Sequence, residues 1–138
     1  VLKEYTGTHI VVTWEPAYCI HAENCIKSVP EVFDRKQRPW IRVEAADAER
    51  IVQAVMKCPS GALHFRRVDG GEPEPVPTAT TVELQANGPL FVRGNLTFVN
   101  VNGELIRKDT RAALCRCGQS SNMPFCDGTH ETVGFEAP

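Results

Sequence analysis

The stretch CRCGQSSNMPFCDGTH, from Cys115 to His130, constrains this chain more than any other, because its donor residues must converge whatever the rest does. It gathers three of the six cysteines and one of the four histidines. Cys115 and Cys117 stand two apart in what reads as extended chain, so their thiolates leave the backbone on the same side. Cys126 and His130 stand four apart, and a helical turn beginning at Asp127 would set thiolate above imidazole on one face. Gly118, Pro124 and Gly128 supply the bends between them. Two chelating pairs of this kind suit two irons, one pair to each. Cys3His is also an ordinary zinc set, although zinc sites usually space their first two cysteines wider than C-x-C.

The same residues resemble the CDGSH iron–sulfur (mitoNEET-like) family. Its pattern is filled by Cys115, Cys117, Ser120, Pro124, Cys126, Asp127, Gly128, Thr129 and His130. The resemblance implies a 2Fe–2S cluster held by Cys115, Cys117, Cys126 and His130, with Cys115 and Cys117 on the inner iron. Ser120, Pro124, Asp127 and Gly128 would support the ligand loop. A neutral histidine in place of a thiolate raises the reduction potential. Its second ring nitrogen couples potential and lability to pH. Met123, Phe125 and Phe135 are expected to wall off the outer iron, and Arg116 to be solvated.

The other three cysteines fall in the first half. Cys19, Cys25 and Cys58, the last directly before Pro59, follow the order of a bacterial-type ferredoxin site with Ala22 where the second cysteine would stand. Three thiolates match a 3Fe–4S cluster. A 4Fe–4S cluster requires a cap on the fourth iron from His21, water or another donor. CIHAENC, PEVFD (Pro30 to Asp34), RPWI (Arg38 to Ile41) and CPSGAL (Cys58 to Leu63) resemble the divergent single-cluster ferredoxin domain of small bacterial proteins. That resemblance covers most of residues 1–68.

Around these ligands the pattern predicts a strand over His9 to Trp14, a helix over Ala45 to Lys57 with Asp47 at its start, and a closing strand over Ala62 to Val68 that pairs with the first. Trp14, Phe33, Trp40 and Phe65 are expected in the core. DGGEPEPVPT, residues 69–78, reads as a stiff linker. Beyond it, strands are expected over Thr80 to Leu84, Leu90 to Val92, Leu96 to Val101, Glu104 to Lys108 and Ala112 to Leu114, with a hairpin turn at Asn102-Gly103. The fold class is therefore α+β: a small ferredoxin-like α+β domain (1–68), the linker, and a mainly antiparallel β domain of CDGSH type (79–138).

Fifteen basic and seventeen acidic residues are spread along the chain, which leaves no footprint for nucleic acid or a membrane surface. No apolar run suits a transmembrane span, and the start has no signal-peptide layout. Thiolate ligands rather than disulfides point to a reducing compartment, the cytoplasm. No nucleophile–base pair, HExxH or phosphate loop is present, so no enzyme is expected. The function expected is one-electron transfer between redox partner proteins. The alternative is storage or transfer of clusters to apo acceptors, or redox and pH sensing through His130. A zinc-bearing interaction module is the non-redox possibility. The CDGSH resemblance makes a homodimer one candidate state.

Overall fold

The computed structural model describes residues 1–138 and divides them into two compact units. The first comprises Val1–Pro16, His21–Cys58 and Ala62–Pro75. Its sheet has the order β1 (Lys3–Thr6), β2 (Ile10–Trp14), β3 (Leu63–Arg67), all antiparallel, with Val12 opposite Phe65 and Trp14 opposite Leu63. The expected pairing of the two apolar strands is therefore present. β1 was not expected. Its four residues KEYT carry no apolar alternation, and only Tyr5 is half-buried, so the strand exists through its ladder to β2 rather than through propensity.

Two helices serve this sheet. α1 (Asn24–Ser28) is a single short turn, too brief to leave a periodic signature. α2 (Ala48–Met56) buries Ile51, Ala54 and Val55, as the three- and four-residue spacing predicts. It starts at Ala48, three residues after the expected Ala45, because the Asp47 carboxylate accepts the Arg50 backbone N–H at 2.9 Å and caps the helix there. Its buried stripe meets Ile10, Val12, Val29, Val32, Phe33, Ile41 and Leu63 in one core. Trp14 and Trp40 meet edge to face at 4.9 Å, and Phe33 lies 5.8 Å from Trp40, so these aromatics are core residues as expected. After β3, Asp69 accepts from the Arg67 guanidinium and from Gly71 N–H, which holds its carboxyl down at about 2. Glu74 meets His64 Nδ1 at 2.6 Å, so the first part of the Pro/Gly stretch is bound to β3.

The second unit comprises Ala17–Ile20, Pro59–Gly61 and Val76–Pro138. Its antiparallel sheet has the order β4 (Thr81–Leu84), β5 (Leu90–Val99), β6 (Leu105–Leu114). Here the four strands expected after Pro89 are two. Arg93-Gly94-Asn95 read as a break, yet the strand runs through them and only the register shifts between Arg93 and Leu96. The bulge is sustained by a glycine in a tight place, since a Cβ on Gly94 would lie 2.7 Å from Thr80 Oγ1. The β5–β6 connection is wider than a two-residue turn. Asn100 Oδ1 accepts the N–H groups of Asn102 and Glu104, with Gly103 left-handed at φ 80°. The last element, α3, is the short turn Thr129–Thr132. No helix is long and apolar enough to cross a membrane.

A candidate metal centre at the end of the second sheet

β6 delivers Cys115 directly from Leu114. The chain then loops out and returns, with Cys115 N–H donating to Pro124 O at 2.9 Å and Cys126 N–H to Ala113 O at 2.8 Å. Leu114 and Phe125 form an antiparallel bridge, so Phe125 and Cys126 lie alongside the end of the strand that carries Cys115. Residues eleven apart in sequence are thereby brought to one end of the sheet.

Within the loop, the donors stand as two claws. Cys115 Sγ and Cys117 Sγ are 3.7 Å apart, and Cys126 Sγ lies 3.4 Å from His130 Nδ1. Two ligands about 2.3 Å from one tetrahedral ion stand about 3.7 Å apart, and a sulfur–nitrogen pair slightly less. Each pair therefore has the bite that one tetrahedral metal requires. No three histidine, cysteine or acidic side chains stand close enough together to hold a single ion. Two metals with one pair each fit this arrangement.

The sulfurs are also provided with N–H donors. Gly118 N–H points to Cys115 Sγ at 3.3 Å, Gln119 N–H to Cys117 Sγ at 3.4 Å and Gly128 N–H to Cys126 Sγ at 3.4 Å. Burial works against ionising Cys115, yet the N–H groups of Ser120, Gly118 and Gln119, with the Cys117 thiol, outweigh it and hold Cys115 below the usual thiol range. Burial pushes Cys126 up, against the Gly128 N–H, and the negative charges of Cys115, Asp127 and Cys117 add to the rise. Neighbouring thiolates of this kind ionise together only beside a cation.

Four further residues hold the loop. Ser120 Oγ donates to Phe125 O at 2.5 Å and accepts Asn122 N–H at 3.0 Å. Asp127 accepts from Ser121 N–H at 2.8 Å, and from Thr129 N–H and Oγ1 at 3.1 and 2.5 Å. Gly128, left-handed at φ 89°, opens α3. Pro124 supplies the carbonyl that Cys115 N–H uses. The helical turn starts at Thr129 rather than at Asp127, because the Asp127 side chain engages the backbone that a helix would need. The imidazole still reaches the sulfur.

Asp127 makes a test. Its carboxyl is held low, first by the Thr129 hydroxyl and then by the Ser121 N–H. A depressed carboxylate contributes stability above its unfolded value of about 3.9 and loses it as pH falls through the lower folded value. Asp127→Ala should cost about 1–2 kcal/mol at neutral pH. The difference from wild type should shrink below about pH 4, read by denaturant titration at several pH values. A constant difference across that range would contradict the assignment.

Two expectations about neighbours are corrected. Arg116 is only half-exposed and is bound by the chain: Nε donates to Gly88 O and an Nη to Gln85 O, each at 2.7 Å, because the β4–β5 turn presents carbonyls there. Its guanidinium also lies 5.4 Å from the Phe135 ring. The aromatic wall is reduced to Phe135, which lines an open recess with His130, Asn87 and Glu131. Phe125 instead turns inward, edge to face with Tyr18 and Phe98 at 5.4 and 5.2 Å, and Met123 is exposed.

In the first half, Cys25 sits in α1 and Cys58 follows α2, both half-buried against the core. Asn24 Nδ2 donates to Lys57 O at 3.1 Å, which ties together the residues that precede each of them. Cys19 lies in the Ala17–Ile20 stretch that groups with the second unit. In the loop before α1, His21 and Glu23 are left-handed at φ 59° and 63°. Such backbone costs non-glycine residues about 1–2 kcal/mol and collects at binding sites. None of the six cysteines is in a disulfide.

Sequence reasoning passed over Arg107, Asp109 and Arg111. At positions i, i+2 and i+4 of β6 they share one face of the strand. Both arginines are buried.

Comparison with known proteins bears on both halves. Residues 5–68 match the family model of a divergent 4Fe–4S mono-cluster, and residues 87–131 that of an iron-binding zinc finger of CDGSH type. Two Escherichia coli proteins, from strain K12 and from O157:H7, both named Uncharacterized protein YjdI, are each 39% identical over 62 residues. The match covers 45% of this chain and 82% of each relative.

Proposed function

Since the chain belongs to the divergent 4Fe–4S mono-cluster family and adds a CDGSH-type iron-binding domain to it, we propose that it is a two-cluster carrier of single electrons between protein partners. Cys115, Cys117, Cys126 and His130 would hold a 2Fe–2S cluster. Cys19, Cys25 and Cys58 would hold a 3Fe–4S cluster, or a 4Fe–4S cluster with His21 as the candidate fourth ligand. In this reading residues 1–68 form a ferredoxin-like domain, 69–78 the linker and 79–138 the CDGSH domain. The observation that carries it is the pair of claws, 3.7 and 3.4 Å wide, each of a size for one tetrahedral metal.

Clusters of these types supply one-electron carriers, and the imidazole ligand raises the potential of the second one. The chain's own contribution is to supply thiolates, place N–H donors on their sulfurs and, while burying Cys126, leave Cys115, Cys117 and His130 only partly covered, so that a partner can approach. No catalytic activity of its own is proposed. Partners are redox proteins, in a reducing compartment such as the cytoplasm, as six cysteines outside disulfides suit.

Metal and sulfide analysis with electron paramagnetic resonance on anaerobically purified protein tests this. About five irons per chain, or about six with a capped first cluster, and reversible reduction without cluster loss are the expected results. Zinc in place of iron would refute it.

One observation favours a second reading, delivery or sensing of the cluster. His130 lines the open recess and is only half-buried, so that an incoming acceptor could approach it there. On this reading His130→Cys should slow transfer of the cluster to an apo acceptor and stabilise it to acid, each by about tenfold or more. Equal rates in the variant and wild type would dismiss it.

A further inference from the structure

Resting on the two-cluster reading above, we propose that Arg107 is a positioning residue for both centres: one buried guanidinium fixes the chain beside Cys19, beside Cys58 and beside Cys126. The side chains of Arg107 and Asp109 are only 3% and 5% exposed. Asp109 Oδ2 accepts from Arg107 Nε at 3.0 Å and Nη2 at 2.6 Å. Nη2 also donates to Ser60 O at 2.8 Å and to Arg111 O at 3.2 Å. The guanidinium plane is covered by two rings, Tyr18 at 3.6 Å and Phe125 at 4.6 Å from its carbon. All of these residues belong to the second compact unit.

What the partners have in common is their position in the chain. Tyr18 precedes Cys19, Ser60 follows Cys58 by two residues, and Phe125 precedes Cys126. Three stretches far apart in sequence, each abutting a candidate ligand, thus converge on one side chain. A second contact acts in the same direction, since Asn122 Nδ2, in the loop of the second centre, donates to Ala17 O at 3.0 Å. Gly61 lets the Ser60 carbonyl come this close, because any Cβ there would meet Arg111 O, Arg107 and Asp109.

Stability alone is a poor account of this arrangement. A buried ion pair gains little over apolar packing of equal volume, and its distinct contribution is to specify one geometry. Arginine suits that task because a planar fork bonds carboxylate and carbonyls in its plane while its faces stack on rings. A lysine would supply the charge without the plane. The consequence is that the ligand geometries of the two centres are set jointly: loosening one side chain disturbs Cys19 and Cys126 together.

The experiment uses the full-length iron-loaded protein as wild type, Arg107→Met and Arg107→Lys. It follows amide hydrogen exchange in residues 17–20 and 59–61 together with the paramagnetic spectra and potentials of both centres. Arg107→Met is expected to raise exchange in those segments by about tenfold or more, and to shift the spectra and potentials of both centres. Arg107→Lys should recover only part of each effect. A lowered melting temperature with unshifted spectra, potentials and exchange would make Arg107 merely structural and overturn the proposal. Should Arg107→Met not fold, Tyr18→Leu removes one stacking face only, and the same signs at smaller size are required. The two readings fail separately. Wild-type protein without iron would refute the clusters, whereas unchanged exchange in residues 17–20 and 59–61 would refute the node.

Discussion

Removing the proposed second centre with the double variant Cys115→Ser/Cys117→Ser is expected to unfold the sheet β4–β6 while the first unit stays folded. The two units differ sharply in what they bury. The first has a contiguous core that includes Ile10, Val12, Val32, Phe33, Ile41, Ile51, Val55 and Leu63. In the second, the buried apolar residues are Pro89, Val92, Ala112, Ala113, Phe125 and Cys126, two of them alanines, alongside the buried Arg107 and Arg111. Burial is worth about 25 cal/mol per Å² of apolar surface, and so few small side chains cannot offset the ordering of more than sixty residues. Small domains in this position rely on metal, which supplies of the order of 10 kcal/mol in structural zinc sites. A loss of that size exceeds the stability of most domains of this length. The two tryptophans make the outcome readable. Trp14 and Trp40 both pack on the first core, so their emission should stay in place while the far-ultraviolet dichroism of the β structure is lost. Unchanged dichroism would mean that the second sheet stands without metal. A concurrent red shift would mean that the chain unfolds as one.

The sequence made some of this legible because local and tertiary signals agreed. α2 shows its buried stripe at three- and four-residue spacing, and the structure buries Ile51, Ala54 and Val55 on it. The claws at 115/117 and 126/130 were equally legible, because C-x-C in extended chain and a four-residue step into a helical turn each define a distance. What stayed hidden depends on pairing between distant segments. β1 is a strand only because β2 offers it a ladder. β5 and β6 run through Arg93-Gly94-Asn95 and Asp109-Thr110, where propensity signals a break, because ladder bonds on either side bridge a bulge. Arg107 was the most deceptive residue. An Arg-x-Asp-x-Arg alternation looks like a solvated strand face until the partners that bury it, Tyr18, Ser60 and Phe125, arrive from elsewhere in the chain. The alternation itself was the available clue, since it places two cations and one carboxylate on a single face.

Gly61→Ala should be the most damaging single-methyl change in the chain. Gly61 is left-handed at φ +75°, and a Cβ there would lie 2.2 Å from Arg111 O and 2.8 Å from both Arg107 Nη2 and Asp109 Oδ2. The first of these atoms is backbone of β6, held by its ladder to β5, so it cannot swing aside as a flexible side-chain end would. The other two are locked in a buried ion pair. Alanine in left-handed backbone costs about 1–2 kcal/mol, and forcing a methyl into packed surroundings about 1–3 kcal/mol more. The expected loss is therefore about 2–5 kcal/mol by denaturant titration, a large fraction of a small domain's stability. Gly103→Ala is the matched control. It shares the positive φ, at +80°, but nothing lies within 4 Å of the added carbon, so it should cost only the conformational part, about 1–2 kcal/mol. If the two variants lose the same amount, the contact between the Pro59–Gly61 segment and β6 carries no energy. If Gly61→Ala loses more, the excess measures how tightly the chain after Cys58 is held against the strand that leads into Cys115.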